Sequence, residues 1–348
     1  MGEKSLRIRH VKHLLLLVFI GLAFLACGDS DGYSEVSATQ AAMDHIDHLS
    51  NSIGIRVAGS QEEAEAGDYI NSQFEMIGLD TTIQDFEFED DDGTHTSRNI
   101  VAILSGESSK EIIVGAHYDS VDIGEGASDN ASGVGLMLAM AKRLKDRAVP
   151  YTIRFIAFGA EEIGLVGSDY YASQMTADEI ANTVGMINLD TVVGGDMIYA
   201  YSGAGEAGWL RNDILEIATL LEVDLQTNPG LNEDYPAGTT GDWSDHAPFK
   251  NLGIDYLYLE ATNWEIGDLD GYVQTVDHGE IWHTENDTLA FFDAEYPGRI
   301  EAQLEDFTLV LEELLLVLSP PEAVPGFGLV GKVQRRPVRY LHRDGSPY

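Results

Sequence analysis

Three apolar runs of strand length each end in side chains that belong in water. EIIVGAH closes on His117, IRFIAFGAEE on Glu161 and Glu162, and VGMINLD on Asp190. Little in these runs is polar, so each predicts a strand covered on both faces, and such strands belong to a mostly parallel sheet. Open α/β sheets place their chemistry beyond the carboxyl ends of the strands. The polar ends therefore predict a site along one edge of the sheet.

The rest of the chain supports that architecture. Helices are expected over 35–53, over 61–77 with Gly78 as C-cap, between Ser132 and Arg147, over 206–221 and over 299–318. Strands are expected at 81–89, followed by a turn at 90–93, and at 99–104, 111–116, 152–158, 183–189 and 254–259. Strands alternating with helices predict an α/β fold: a mostly parallel mixed central sheet flanked by helices on both faces. Residues 35–318 read as one domain of this kind.

The formal net charge of -39 repels polyanions, which argues against a nucleic-acid partner. At the N-terminus, Lys4, Arg7, Arg9 and Lys12 precede the 13-residue apolar stretch Leu14–Ala26, too short for a comfortable bilayer span. Residues 1–27 therefore predict a signal peptide. Ala26-Cys27 resembles a lipoprotein cleavage site, with Cys27 lipidated and 28–34 a linker; Phe24 departs from the usual leucine and leaves ordinary cleavage open. The expected location is outside the cytoplasm, as an envelope lipoprotein or a periplasmic or secreted protein. The membrane would be met only through that signal or lipid anchor. Cys27 is the single cysteine, so intramolecular disulfides and thiolate metal clusters are ruled out. After Ser319, proline, glycine and arginine without periodicity predict an extended basic tail, 319–348.

Two histidines and five carboxylates remain to be explained: His117, Asp119, Asp129 in GEGASDNASG, Glu161, Glu162, Asp190, and His283 in EIWHTENDT. Imidazole and carboxylate ligands suit zinc, and hydrolytic zinc sites leave room for water. Two zincs can share one water, provided a carboxylate bridges them and a further carboxylate takes the proton. Asp129 suits the bridge, because its small-residue loop lets backbone approach closely and precedes a helix N-terminus. Taken singly, these residues have plainer readings: Asp129 or Asp190 as a cap or turn, Glu161-Glu162 as an exposed pair, His283 as a surface histidine.

Taken in order, His-x-Asp, Gly-Ala-Ser-Asp-Asn-Ala-Ser-Gly, Glu-Glu, Asn-Leu-Asp and His-Thr-x-x-Asp-Thr resemble the M28 family of di-zinc aminopeptidases. GIRVAGS and GLVGS extend the likeness from about Val36 to Leu318. The resemblance implies a zinc-peptidase/phosphorylase-hydrolase-like fold. It also implies two zinc ions, one on His117 and Asp190, the other on Glu162 and His283, with Asp129 on both. Glu161 would be the general base, and Asp119 would orient His117 from behind. The substrates implied are peptides with a free N-terminus. DWSDHAPF, with Asp245 and His246, resembles a loop bordering the substrate pocket. Trp282 stands where many M28 peptidases have an oxyanion-binding tyrosine, and there it resembles the related glutaminyl cyclases, which use one zinc. A cyclase and a non-catalytic peptidase-like ectodomain are thus the alternatives, although all six ligand and base positions are filled. Thr284, Asp287 and Thr288 are expected to brace the His283 loop locally. His45, His48, His95 and His278 are expected at the surface.

Overall fold

The computed structural model describes residues 37–90 and 93–318; the expected signal segment, linker and basic tail lie outside them. The described residues begin with α1 (Ala38–Asp47) and α2 (Gln61–Ile77), then a hairpin of β1 (Asp80–Asp90) and β2 (Gly93–Leu104). It continues through β3 (Ser108–His117), α3 (Gly133–Leu144), β4 (Tyr151–Phe158), α4 (Val166–Gln174), α5 (Ala177–Asn182) and β5 (Thr183–Leu189). The last part contains β6 (Met197–Ser202), α6 (Trp209–Leu220), β7 (Leu225–Gln226), α7 (His246–Asn251), β8 (Tyr256–Thr262), α8 (Leu289–Glu295) and α9 (Arg299–Val317).

Among the described residues, eight strands form one sheet in the order β1-β2-β4-β3-β5-β8-β6-β7. The central four, β4-β3-β5-β8, run parallel, whereas β1, β2 and β6 join antiparallel. The expected mixed α/β sheet is therefore present. Alternate residues of each central strand feed separate cores. Ile112, Val114 and Ala116 of β3 belong to the same apolar core as residues of α1, α2, α3, α6 and α9, while Ile113 shares the other core with Tyr171 of α4 and Phe249 of α7. Burial on both faces explains why these strands lack a polar alternation.

Local signals account for the element ends. Ser60 caps α2 by accepting the Glu63 N–H, and Gly78 ends that helix at φ 90°. The first helix is shorter than its apolar spacing predicts: it stops at Asp47, and a wider π-type turn fills 48–53 before Gly54 at φ 90°. The strand expected at 99–104 extends back to Gly93, because its polar half pairs with β1 from Asp80↔Ile103 to Asp90↔Gly93. The helix after Asp129 starts at Gly133, where only glycine fits: a Cβ there would lie 2.2 Å from the Leu189 carbonyl oxygen. That close approach sets the start of α3 against the end of β5, beside Asp190. Among the described residues, no helix is long and apolar enough to cross a membrane.

Candidate metal centre

The ends of β3, β4 and β5 and the loop before α8 converge at one edge of the sheet. His117 is the last residue of β3, Asp190 follows β5, and Glu161-Glu162 lie just past β4. Asp129 comes from the turn before α3. Its two oxygens point opposite ways: Oδ1 is 3.1 Å from His117 Nε2, and Oδ2 is 3.1 Å from His283 Nε2. His117 Nε2 also lies 3.3 Å from Asp190 Oδ1, and His283 Nε2 3.0 Å from Glu162 Oε2. The five side chains named as ligands are thus brought together, in two groups that meet at Asp129. Glu161 lies next to them, its Oε2 4.0 Å from His117 Nε2.

The electrostatics call for cations at this point. Two like charges 4 Å apart repel by about 4 kcal/mol at an effective dielectric of 20. Burial pushes the Glu161 carboxyl well above its ordinary value, and burial with the Asp129 charge pushes Glu162 up to about 7. Hydrogen bonds to Asp129 and Glu162 lift His283 to about 11. Burial disfavours charge on His117, yet Glu161 and Asp190 more than reverse this and raise it well above the usual range. Asp129 is also buried, but hydrogen bonds to both histidines pull it well below the carboxylate range. Protons on the histidines thus do the charge-balancing that metal ions do when imidazoles are neutral ligands. Two trios, His117-Glu161-Asp190 and His117-Asp129-Glu162, present ligand atoms within 4.8 Å of one another. Glu162 Oε1 is buried without a partner, a donor atom left over for a metal. The residues fit a centre of hard, nitrogen- and oxygen-liganded cations.

Buried carboxylates behind the site hold backbone. Asp119 accepts the N–H groups of Glu161 and Glu162 at 3.0 and 3.1 Å, so it fixes the turn that carries both glutamates. Its oxygen is 3.6 Å from His117 Nδ1, too long for a good hydrogen bond, so this clamp is its main contact. Asp287 is corrected from a local brace to a long-range one. It accepts the N–H groups of Ser128 and Asp129 at 2.6 and 3.0 Å and ties the His283 loop to the bridging aspartate. Thr284 and Thr288 do bond locally, to Ile281 O and Phe291 N. Asn130, joined to Asp129 by a cis peptide, accepts from Gly133 and Thr191 and donates to Leu189 O. Sequence reading assigned no role to Asn130 or to Arg56; polar residues flanked by glycines in both motifs were the available signal.

Ser244 donates to Asp190 Oδ2 at 2.6 Å and accepts from Asn188. Asp245 and His246, expected at the pocket border, are wholly buried behind this contact. His246 donates to Gly241 O and packs on Tyr256 and Tyr258. Trp282 is 9 % exposed, packs edge-on against Tyr272 and adjoins the His283 ring. Of the four histidines expected at the surface, His278 is exposed, whereas His45, bonded to Tyr69, and His48 and His95 are half-buried.

Glu260 on β8 lies one step further back, held by the Tyr201 and Tyr258 hydroxyls at 2.9 and 3.2 Å. Burial pushes its carboxyl up to about 8. The folded state therefore holds a proton that the unfolded chain releases at its ordinary, lower pKa. Stability from this group is full at low pH and is lost as pH rises through about 8. The variant Glu260→Gln has no such loss, so its stability relative to the parent is expected to improve from pH 5 to pH 8.5. Urea unfolding of both proteins across that range checks the sign; a parallel pH dependence refutes it.

The profile of Peptidase family M28 matches residues 99–308. The chain is 31% identical over 344 residues to the alkaline phosphatase isozyme conversion protein of Escherichia coli, covering 89% of this chain and 98% of that one. It is 32% identical over 259 residues to aminopeptidase YwaD of Bacillus subtilis, covering 70% of this chain but only 49% of that longer protein. Among solved structures, a zinc aminopeptidase from Bacillus subtilis shares the fold with a TM-score of 0.66 at 20% identity, over 84% of this chain and 98% of that one. A profile match over more than half the chain and a full-length relative agree with the site's geometry: this protein belongs to peptidase family M28 and is a hydrolase.

Proposed function

We propose that the protein is a zinc aminopeptidase that removes N-terminal residues from peptides, with two ions held at the sheet edge. The observation that carries this reading is the divided geometry of Asp129, one oxygen toward His117 and the other toward His283. His117 and Asp190 would hold one ion, Glu162 and His283 the other, and Asp129 would contribute to both. Zinc held there would supply Lewis acidity, both to a peptide carbonyl and to water. Glu161, whose backbone N–H is fixed by Asp119 and whose Oε2 stands 4.0 Å from His117 Nε2, would accept the proton of the attacking water and deliver it to the leaving amine. The surplus of carboxylates around the centre attracts the substrate's free α-ammonium group. Export rests on the basic-apolar segment 1–27 and Cys27, and it belongs to the same proposal.

Trp282 favours a second reading, a glutaminyl-peptide cyclase with one zinc. Its indole sits beside His283, where the peptidase resemblance expects a tyrosine hydroxyl. Metal analysis of the purified protein, with parallel assays on leucine p-nitroanilide and an N-terminal glutaminyl peptide, separates the two. Two zincs per chain with hydrolysis are expected. One zinc with cyclisation alone overturns the aminopeptidase reading.

A further inference from the structure

Arg56 is the largest buried charge that the chemistry above leaves unused. Its side chain is 0 % exposed, yet no carboxylate takes up its fork. All of its hydrogen bonds end on backbone carbonyls: Nε on Tyr118, Nη1 on Leu49, Gly54 and Glu125, and Nη2 on Gly126, at 2.7 to 3.0 Å. Its own backbone joins in, for Arg56 N–H donates to Ser120 Oγ and Arg56 O accepts from Ser120 N–H.

These acceptors are not scattered. Tyr118 sits between His117 and Asp119, and Glu125-Gly126 is the turn entering Asp129. Gly126 has φ 57°, and a Cβ there would lie 2.7 Å from Arg56 Nη2, so the turn is moulded on the guanidinium. The planar fork serves several carbonyls in fixed directions, which an ammonium cannot reproduce. Asp287, Asp119, Asp129 and Glu162 lie around it at longer range.

We infer that Arg56 is a positioning residue for the metal centre: by strapping the end of β3 to the turn before Asp129, it holds His117 and the bridging carboxylate in register before any metal arrives. This rests on the two-ion reading above. Charge and position make opposite demands here. A cation close to the site repels dications, so Coulomb's law alone predicts tighter zinc binding once it is removed. The strap predicts weaker binding despite that relief.

The test measures zinc affinity of the full chain by competition with a chromogenic chelator, for the parent, Arg56→Met and Arg56→Lys. Cobalt(II) absorption spectra report ligand geometry in the same proteins. Both variants are expected to bind zinc at least about tenfold more weakly, the scale on which outer-sphere partners act. The methionine variant loses charge and strap together; the lysine variant keeps only the charge. Altered cobalt spectra in the folded variants are also expected. Tighter binding by Arg56→Met with unchanged Arg56→Lys reduces the residue to a charge and overturns the inference. Unchanged affinity at lowered melting temperature makes it merely structural and overturns it too. Should the methionine variant not fold, the lysine variant decides. Hydrogen exchange of the metal-free parent is independent of both variants: the Ser120, Glu125 and Asp129 amides are expected to stay protected, and their release on metal removal refutes a preassembled cage. A parent that binds no zinc at all instead removes the metal reading.

Discussion

Replacing Glu161 by Gln is expected to lower turnover by about 10²- to 10⁴-fold, the range that a positioned general base contributes, while zinc content and melting temperature stay those of the parent. Several observations separate this residue from its neighbour. Glu162 Oε2 contacts His283 at 3.0 Å, within the ligand cluster, whereas Glu161 Oε2 stands 4.0 Å from the nearest histidine nitrogen. The turn carrying both is fixed by Asp119 through backbone N–H groups, which an amide side chain at position 161 leaves untouched. An amide matches the carboxylate in shape but cannot take a proton from water. Glu162→Gln, by contrast, removes a ligand oxygen and should lose metal as well as rate. Metal analysis with kcat and kcat/KM on one peptide substrate checks both; turnover within tenfold of the parent for Glu161→Gln takes that residue out of its role.

The parts of this fold legible in sequence are those where one physical signal dominates. Buried strands such as 183–189 stand out because both faces are apolar, and their polar ends mark the site edge. β6 and β7 have no counterpart among the expected strands, and β7 has only two residues. The helices α4 and α7 are nine and six residues long, too short for a stable apolar period. The site's outer contacts were hidden for another reason. Asp287 works through a hydrogen bond across 158 positions of sequence, and nothing local predicts it. Arg56 inverts the usual pattern: it is buried, while its neighbours Ile55 and Val57 are 39 % and 36 % exposed. Apolar patterning would turn that segment inside out. A residue that breaks the hydrophobic rule needs compensating contacts, and here five carbonyls supply them.

The second large effect is expected at Asp129. Asp129→Asn should lose tight binding at one metal position or both, with zinc affinity down by more than about 100-fold, beyond the range for outer-sphere partners, and peptide hydrolysis reduced below measurable levels. Both carboxylate oxygens are committed, one toward each histidine, and an amide offers one oxygen and one NH₂ group that cannot ligate. The fold should survive, because Asp287 grips the backbone N–H of residue 129 and Arg56 holds the turn before it, both independent of the side chain. In the metal-free state the variant should melt somewhat lower than the parent, since both histidines hold the Asp129 carboxyl well below its ordinary pKa and its charge therefore stabilises the fold. The discriminating quantity is therefore the rise in melting temperature on adding zinc, which grows with the ratio of free zinc to its dissociation constant. That rise should be large for the parent and shrink in the variant, in step with zinc bound per chain after dialysis. A variant that keeps two zincs and its full thermal gain shows that Asp129 does not span the ions, and the two-ion centre must then be built on other side chains.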